Sequence, residues 1–95
     1  MIRHVVMWKF RYGTEAEAEE FMTKLAALKG EIEQIRHLEI HKDCSDKDSH
    51  FSAMLISDFD SVNDMNTYLN DPRHKAVSAL CKSIREDRAC VDYTL

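Results

Sequence analysis

HLEIHKDCSDKDSHFSAMLISDF, residues 37–59, is the stretch on which the fold turns. His37–Lys42 alternates, with Leu38 and Ile40 on one side and His37, Glu39 and His41 on the other, the period of a β-strand. Asp43–Ser49 is polar and reads as a turn or loop. Phe51–Phe59 is apolar and rich in strand-forming side chains, which predicts a second strand. Two strands therefore follow one another with no helical segment between them.

Outward from this pair, both flanks carry a helix and then a strand. Upstream, Thr14 with Glu17 three residues later predicts a capping-box start. Phe21, Met22, Leu25 and Leu28 then recur at helical spacing, with acidic residues in the first turn. Gly30 is placed to end or kink this helix, and Glu31–Arg36 reads as a loose helical turn. Before it, residues 2–10 split into Ile2, His4, Val6, Trp8 and Phe10 against Arg3, Val5, Met7 and Lys9, a strand ended by Tyr12-Gly13. Downstream, Ser61 caps a helix holding Val62, Met65, Tyr68 and Leu69. Asp71-Pro72 restarts it, with Asp71 at the cap and Pro72 at N1, and the helix continues through Val77, Leu80, Cys81 and Ile84. Arg88–Leu95 is predicted as the last strand.

The order is βαββαβ: an α+β, ferredoxin-like arrangement with an antiparallel four-stranded sheet and helices on one face. Residues 1–95 are expected to form a single domain, since the length leaves no room for a second. Val5 and Met7, with either Ser52, Met54 and Ile56 or Ala53 and Leu55, leave the other face partly apolar without helices to cover it. Such a face marks an interface, so a homodimer through sheet faces is expected.

Composition excludes several classes. Thirteen basic residues against seventeen acidic ones give a net charge of -4, with no general attraction for nucleic acid or anionic membrane. No apolar run approaches the ~20 residues of a membrane span, and the charged, alternating N-terminus lacks signal-peptide character. A cytoplasmic location is expected. The three cysteines, Cys44, Cys81 and Cys90, have no CxxC spacing and read as reduced thiols, with Cys81 and Cys90 in the core. His37, Glu39 and His41 share a strand face, yet neighbours there are ~7 Å apart and the outer pair ~13 Å, so an interface or solvated face is favoured over a metal site.

RHVVMWKF (residues 3–10), DFDSVNDMNTYLNDPRHKAV (residues 58–77) and VDYT (residues 91–94) together resemble the stress-responsive A/B barrel domain (Dabb) family. The most specific part is Tyr-x-x-x-Pro-x-His, here Tyr68 to His74. The resemblance covers essentially the whole chain and implies a dimeric α+β barrel in which two four-stranded sheets pack face to face. Similarity to plant polyketide cyclases of this family implies aldol-type chemistry without a cofactor. By motif, His74 would be the catalytic histidine, Tyr68 the catalytic tyrosine and His4 the strand-one pocket histidine. Val6, Trp8, Phe21, Met22, Leu25, Leu38 and Val77 would line the pocket. Arg85 and Arg88 stand where those cyclases have apolar residues, which suits a carboxylated or smaller ligand rather than a long apolar tail.

The chemistry is coherent in itself. A histidine can take an α-proton from a ketone near neutral pH, and a tyrosine hydroxyl can donate to the oxygen as enolate charge develops. No Gly-rich phosphate loop, pyridoxal-lysine context or metal cluster is present, so neither cofactor nor metal is expected. Two other functions compete: a non-catalytic, stress-related ligand-binding or assembly protein, and a heme- or quinone-related monooxygenase of the wider superfamily. In the plainest reading Tyr68 is a core aromatic, His74 an exposed cap residue and His4 a hydrogen-bonded core histidine.

Overall fold

A computed structural model describes all of residues 1–95. The strands are β1 (Ile2–Phe10), β2 (His37–Lys42), β3 (Ala53–Phe59) and β4 (Arg85–Thr94), and the helices α1 (Glu15–Ala27), α2 (Val62–Asn70) and α3 (Pro72–Ile84). Every neighbouring strand pair is antiparallel, and the order across the sheet is β2-β3-β1-β4. This is the ferredoxin-like fold that the element order predicted.

Register settles which residues share a face. His4 lies opposite Ser57 and Asp92, and Val6 opposite Leu55 and Cys90. Leu38 and Ile40 pair with Ser57 and Leu55, so they join this helix-covered side. Of the two alternatives for the third strand, Ala53 and Leu55 point to the helices, while Met54 and Ile56 lie with Val5 and Met7 on the bare face. Val91 and Ala89 of β4 extend that bare face. Its flanks are polar: Arg3 donates to both oxygens of Asp58 at 2.8 and 2.9 Å. Glu39 holds the Nε2 atoms of His37 and His41 at 2.5 and 2.7 Å, so this triplet is a hydrogen-bonded patch on β2.

The core fills the space between sheet and helices. Trp8 meets Phe21 edge-on at 5.1 Å between ring centroids, and Phe59 packs against Tyr68 at the same distance. Burying each large apolar side chain of this kind contributes roughly 1.5–3 kcal/mol.

Several local expectations are corrected. The capping box at Thr14 does not form, because the Thr14 hydroxyl donates back to the Arg11 carbonyl at 2.7 Å. That bond closes the Tyr12-Gly13 turn, where Gly13 has φ 83°, a left-handed conformation suited to glycine. After α1 the chain tightens into a 3₁₀ turn, Leu28–Gly30, and residues 31–36 continue as irregular turns. Ile32 and Ile35 in that segment are nonetheless buried in the core. Phe51 and Ser52 precede β3; the Ser52 hydroxyl instead accepts from Phe10 N–H at 3.1 Å. The last strand starts three residues before the predicted Arg88, since Arg85 already pairs with Phe10 beside an irregularity at Lys9/Phe10. Cys81 is buried as expected, but Cys90 is exposed because it sits on β4, an edge strand.

Candidate active site

Tyr68 and His74 owe their proximity to a broken helix. The Ser61 hydroxyl accepts from Asp64 N–H at 3.1 Å and starts α2, whose last turn carries Tyr68. Asp71 is extended (φ −64°, ψ 133°), so it ends α2 and caps α3 at once, with Pro72 in the first turn. Its carboxylate accepts from Arg73 Nε, Nη2 and N–H at 3.0, 2.8 and 2.8 Å. That fork, aided by the backbone N–H, holds the Asp71 carboxyl down to about 2. Arg73 also donates to the Glu31 carbonyl at 2.7 Å, tying the break to the segment after α1. The reversal brings the His74 ring to 4.4 Å from the Tyr68 ring, centroid to centroid.

Both rings are defined by what surrounds them. Tyr68 is fully buried, and its hydroxyl has no hydrogen-bond partner. Burial pushes the phenol well above its ordinary value near 10, so it stays protonated and remains a donor. His74 is half-buried, and its Nδ1 donates to the Leu69 carbonyl at 3.2 Å. A carbonyl can only accept, so Nδ1 carries the proton and Nε2 presents a lone pair. Burial lowers the His74 pKa below the usual 6.5, an effect opposed by the Leu69 carbonyl and reinforced by His4 and Arg88. The ring is a neutral base at neutral pH.

His4 is the second imidazole. It is 3% exposed, unusual for so polar a side chain, and its Nδ1 lies 2.5 Å from Asp92 Oδ1 across the β1–β4 pairing. The carboxylate fixes the ring and leaves Nε2 as its remaining polar atom.

These three side chains line one cavity of about 40 Å³ between the sheet and helices α1 and α3. Of the other residues predicted to line it, Val6, Trp8, Phe21 and Leu25 do so. Met22, Leu38 and Val77 do not. Met22 is buried in the core but borders a separate groove, while Leu38 and Val77 pack into the core elsewhere. Arg85 and Arg88 stand in the wall with Leu55, Leu69, Ser78 and Cys81. Ser78 was not foreseen, and its i+4 spacing from His74 on the same helix was the available signal. Asp92 stood out in sequence only as part of VDYT; its role as partner of His4 needed the β1–β4 register.

Two other clusters combine histidine with acidic or nucleophilic side chains. His4 Nδ1, Cys90 Sγ and Asp92 Oδ1 lie within 4.8 Å of one another, a set of atom types that could hold zinc. The 2.5 Å between His4 and Asp92 is, however, a hydrogen-bond separation rather than that of two ligands on one ion. In the loop before β3, Ser45 Oγ and Asp43 Oδ1 both meet the same His50 nitrogen, Nδ1, at 2.6 and 3.1 Å, which is no catalytic triad. A larger open groove of about 390 Å³ near the start of α1 has mostly solvated walls, among them Lys9, Glu15, Lys42 and Asp48.

Residues 2–95 match the Stress responsive A/B Barrel Domain, Dabb. The chain belongs to the Dabb family. Among solved structures, this Dabb chain is similar to a dimeric protein of unknown function and ferredoxin-like fold from Bacteroides fragilis. The two are 28% identical with a TM-score of 0.84, over 99% of this chain and 95% of that one. A dimeric ferredoxin-like protein from Thermobifida fusca gives a TM-score of 0.88 at 22% identity, over 99% and 90%. The hydroxynitrile lyase of Passiflora edulis gives 0.87 at 15% identity, over 99% and 92%, a likeness of fold. No curated protein matches the sequence. No helix of this Dabb protein is long and apolar enough to cross a membrane.

Proposed function

We propose that this Dabb protein is a cofactor-independent enzyme that moves a proton next to the carbonyl of a small, apolar or carboxylated compound, as the first step of an aldol-type reaction. His74 Nε2 takes the α-proton. Tyr68 O–H donates to the carbonyl oxygen as negative charge gathers there, and His4, held by Asp92, orients the substrate. One observation carries the proposal: a buried tyrosine hydroxyl without a protein partner, on a ring 4.4 Å from that of a neutral histidine. A buried hydroxyl left unmatched costs about 1–3 kcal/mol, a cost that a substrate oxygen would relieve. The hydroxynitrile lyase with the same fold is an example of an enzyme built on it.

The site is proposed to act within a homodimer joined through bare sheet faces. The apolar side chains of that face and the dimeric state of the Bacteroides and Thermobifida neighbours support this assembly.

The test is exchange of α-protons for deuterium in a panel of small ketones and oxo acids, followed by proton NMR in heavy water. His74→Ala is expected to slow exchange by about 10²–10⁴-fold and Tyr68→Phe by about 10²–10³-fold, with both variants folded. The rate should climb with pH and level off below 6.5, because the folded protein holds His74 below that ordinary value. Its neutral form is present above the lowered pKa and lost as pH falls through it. Equal exchange by wild type and folded His74→Ala would rule out this proton transfer. Ligand binding without any exchange would leave a non-catalytic binding protein.

A further inference from the structure

The six arginines fall into two groups. Four of them have an oxygen acceptor: Arg3 on Asp58, Arg36 on Asp60, Arg73 on Asp71, and Arg11 on the Ser83 carbonyl. Arg85 and Arg88 have neither an ion pair nor a side-chain hydrogen bond to oxygen; their polar neighbours are the thiols of Cys81 and Cys90. These two are also the arginines that line the cavity with His4, Tyr68 and His74. No carboxylate lines the cavity, although the chain as a whole has a net charge of -4. A guanidinium has five donors and no acceptor, and it pairs with a carboxylate in a planar fork.

We infer that Arg85 and Arg88 form the anchor for the carboxylate of the substrate, which makes the substrate class short-chain oxo acids rather than neutral ketones. The inference rests on the proton-transfer reading of the same site. The cavity volume of about 40 Å³ sets the length, since it admits only a few atoms beyond the mouth. With the carboxylate at the arginines, the adjoining carbonyl and its α-carbon lie towards Tyr68 and His74. His74 Nε2 then takes a proton from the α-carbon, and the C–H electron pair becomes the C=C bond of an enolate. The former C=O pair moves onto the oxygen, which accepts from Tyr68 O–H. Return of a deuteron from His74 reverses these steps, so hydrogen is exchanged and nothing is oxidised or reduced.

Two near-isosteric probes separate charge from shape: 2-oxobutyrate, and 2-butanone, in which a methyl group replaces the carboxylate. Binding to the full-length protein is followed by calorimetry and α-proton exchange by NMR. The oxo acid is expected to bind about tenfold or more tightly than the ketone. Arg85→Gln and Arg88→Gln should each weaken the acid several-fold, and the double variant should erase the preference for acid over ketone. Equal binding of the two probes, no binding of either, or a preference that survives in the folded double variant would overturn the anchor. Exchange separates carboxylate anchoring from proton transfer. Arginine-dependent binding with no exchange would sustain the anchor and sink proton transfer. Exchange of both probes alike, lost in His74→Ala, would sustain proton transfer and sink the anchor.

Discussion

The two faces of the sheet are made by the same strands and have opposite characters. On the helix side, Val6, Trp8, Leu55 and Phe59 are shut away from solvent, and among them sits a buried histidine. On the other side, Val5, Met7, Met54, Ile56 and Val91 form an apolar surface with polar flanks, and Met7 is 38% exposed. A period of two residues lets one strand serve both. Along β1, His4 belongs to the candidate chemistry while its neighbours Arg3 and Val5 belong to the proposed assembly. Any change that slipped the register by one residue would exchange the two roles.

The contrast can be broken most severely from the helix side. Phe59→Ala removes a fully buried ring from beneath Tyr68, and a loss of about 3–5 kcal/mol is expected in urea unfolding. A loss below 1 kcal/mol would mean that Phe59 is not part of a tightly packed core. On the bare face, Met7→Asp should leave the domain folded and dissociate the proposed dimer. At a protein concentration about one hundred times the dimer dissociation constant, association supplies about 2.7 kcal/mol of apparent stability, which this variant should lose. Sedimentation and the concentration dependence of melting report it, and a wild-type monomer at micromolar concentration would remove the assembly from consideration. The smallest change is the most informative about the site. Tyr68→Phe keeps the ring contacts with Phe59 and His74 and deletes only the unmatched hydroxyl, so stability should hold or rise by about 1 kcal/mol. A shift of the urea midpoint at constant slope measures it. A fall of that size would show the hydroxyl to be satisfied in solution, and the proposed donor would lose its support.

How much of this was legible in the sequence follows from the range of each signal. Alternation in residues 2–10 and 37–42 gave those strand spans as observed, because one-sided burial is a local pattern. Ser61 and Asp71 were readable as caps for the same reason: their partners, Asp64 and Arg73, are two or three residues away. Thr14 misled because its hydroxyl had two local uses and closed the preceding turn instead of capping the helix. Ile32 and Ile35 were missed as core because irregular backbone offers no period to read. At the candidate site, Tyr68 and His74 stood out by motif, and they share a cavity with His4. The Asp92 contact lay beyond reach, since 88 residues separate it from His4 and only the strand pairing joins them. Met22 shows the limit of helical spacing: it is buried in the core like its neighbour Phe21, yet it borders a separate groove while Phe21 lines the cavity.

The extended residue at Asp71 has a consequence for how this site can change over evolution. Tyr68 and His74 come from one contiguous run of seven residues, and their meeting depends on a single non-helical step between two short helices. Each residue added to or removed from the helical part of that run would shift Tyr68 or His74 by about 100° around its own helix axis. Such an insertion would swing the imidazole away from the phenol while every strand of the sheet stayed in place. The pair is therefore governed by the count of residues across the break as much as by their identity. Lengthening or shortening this joint would keep the sheet and part the two rings, whereas the spacing itself is untouched by point substitutions elsewhere on α3.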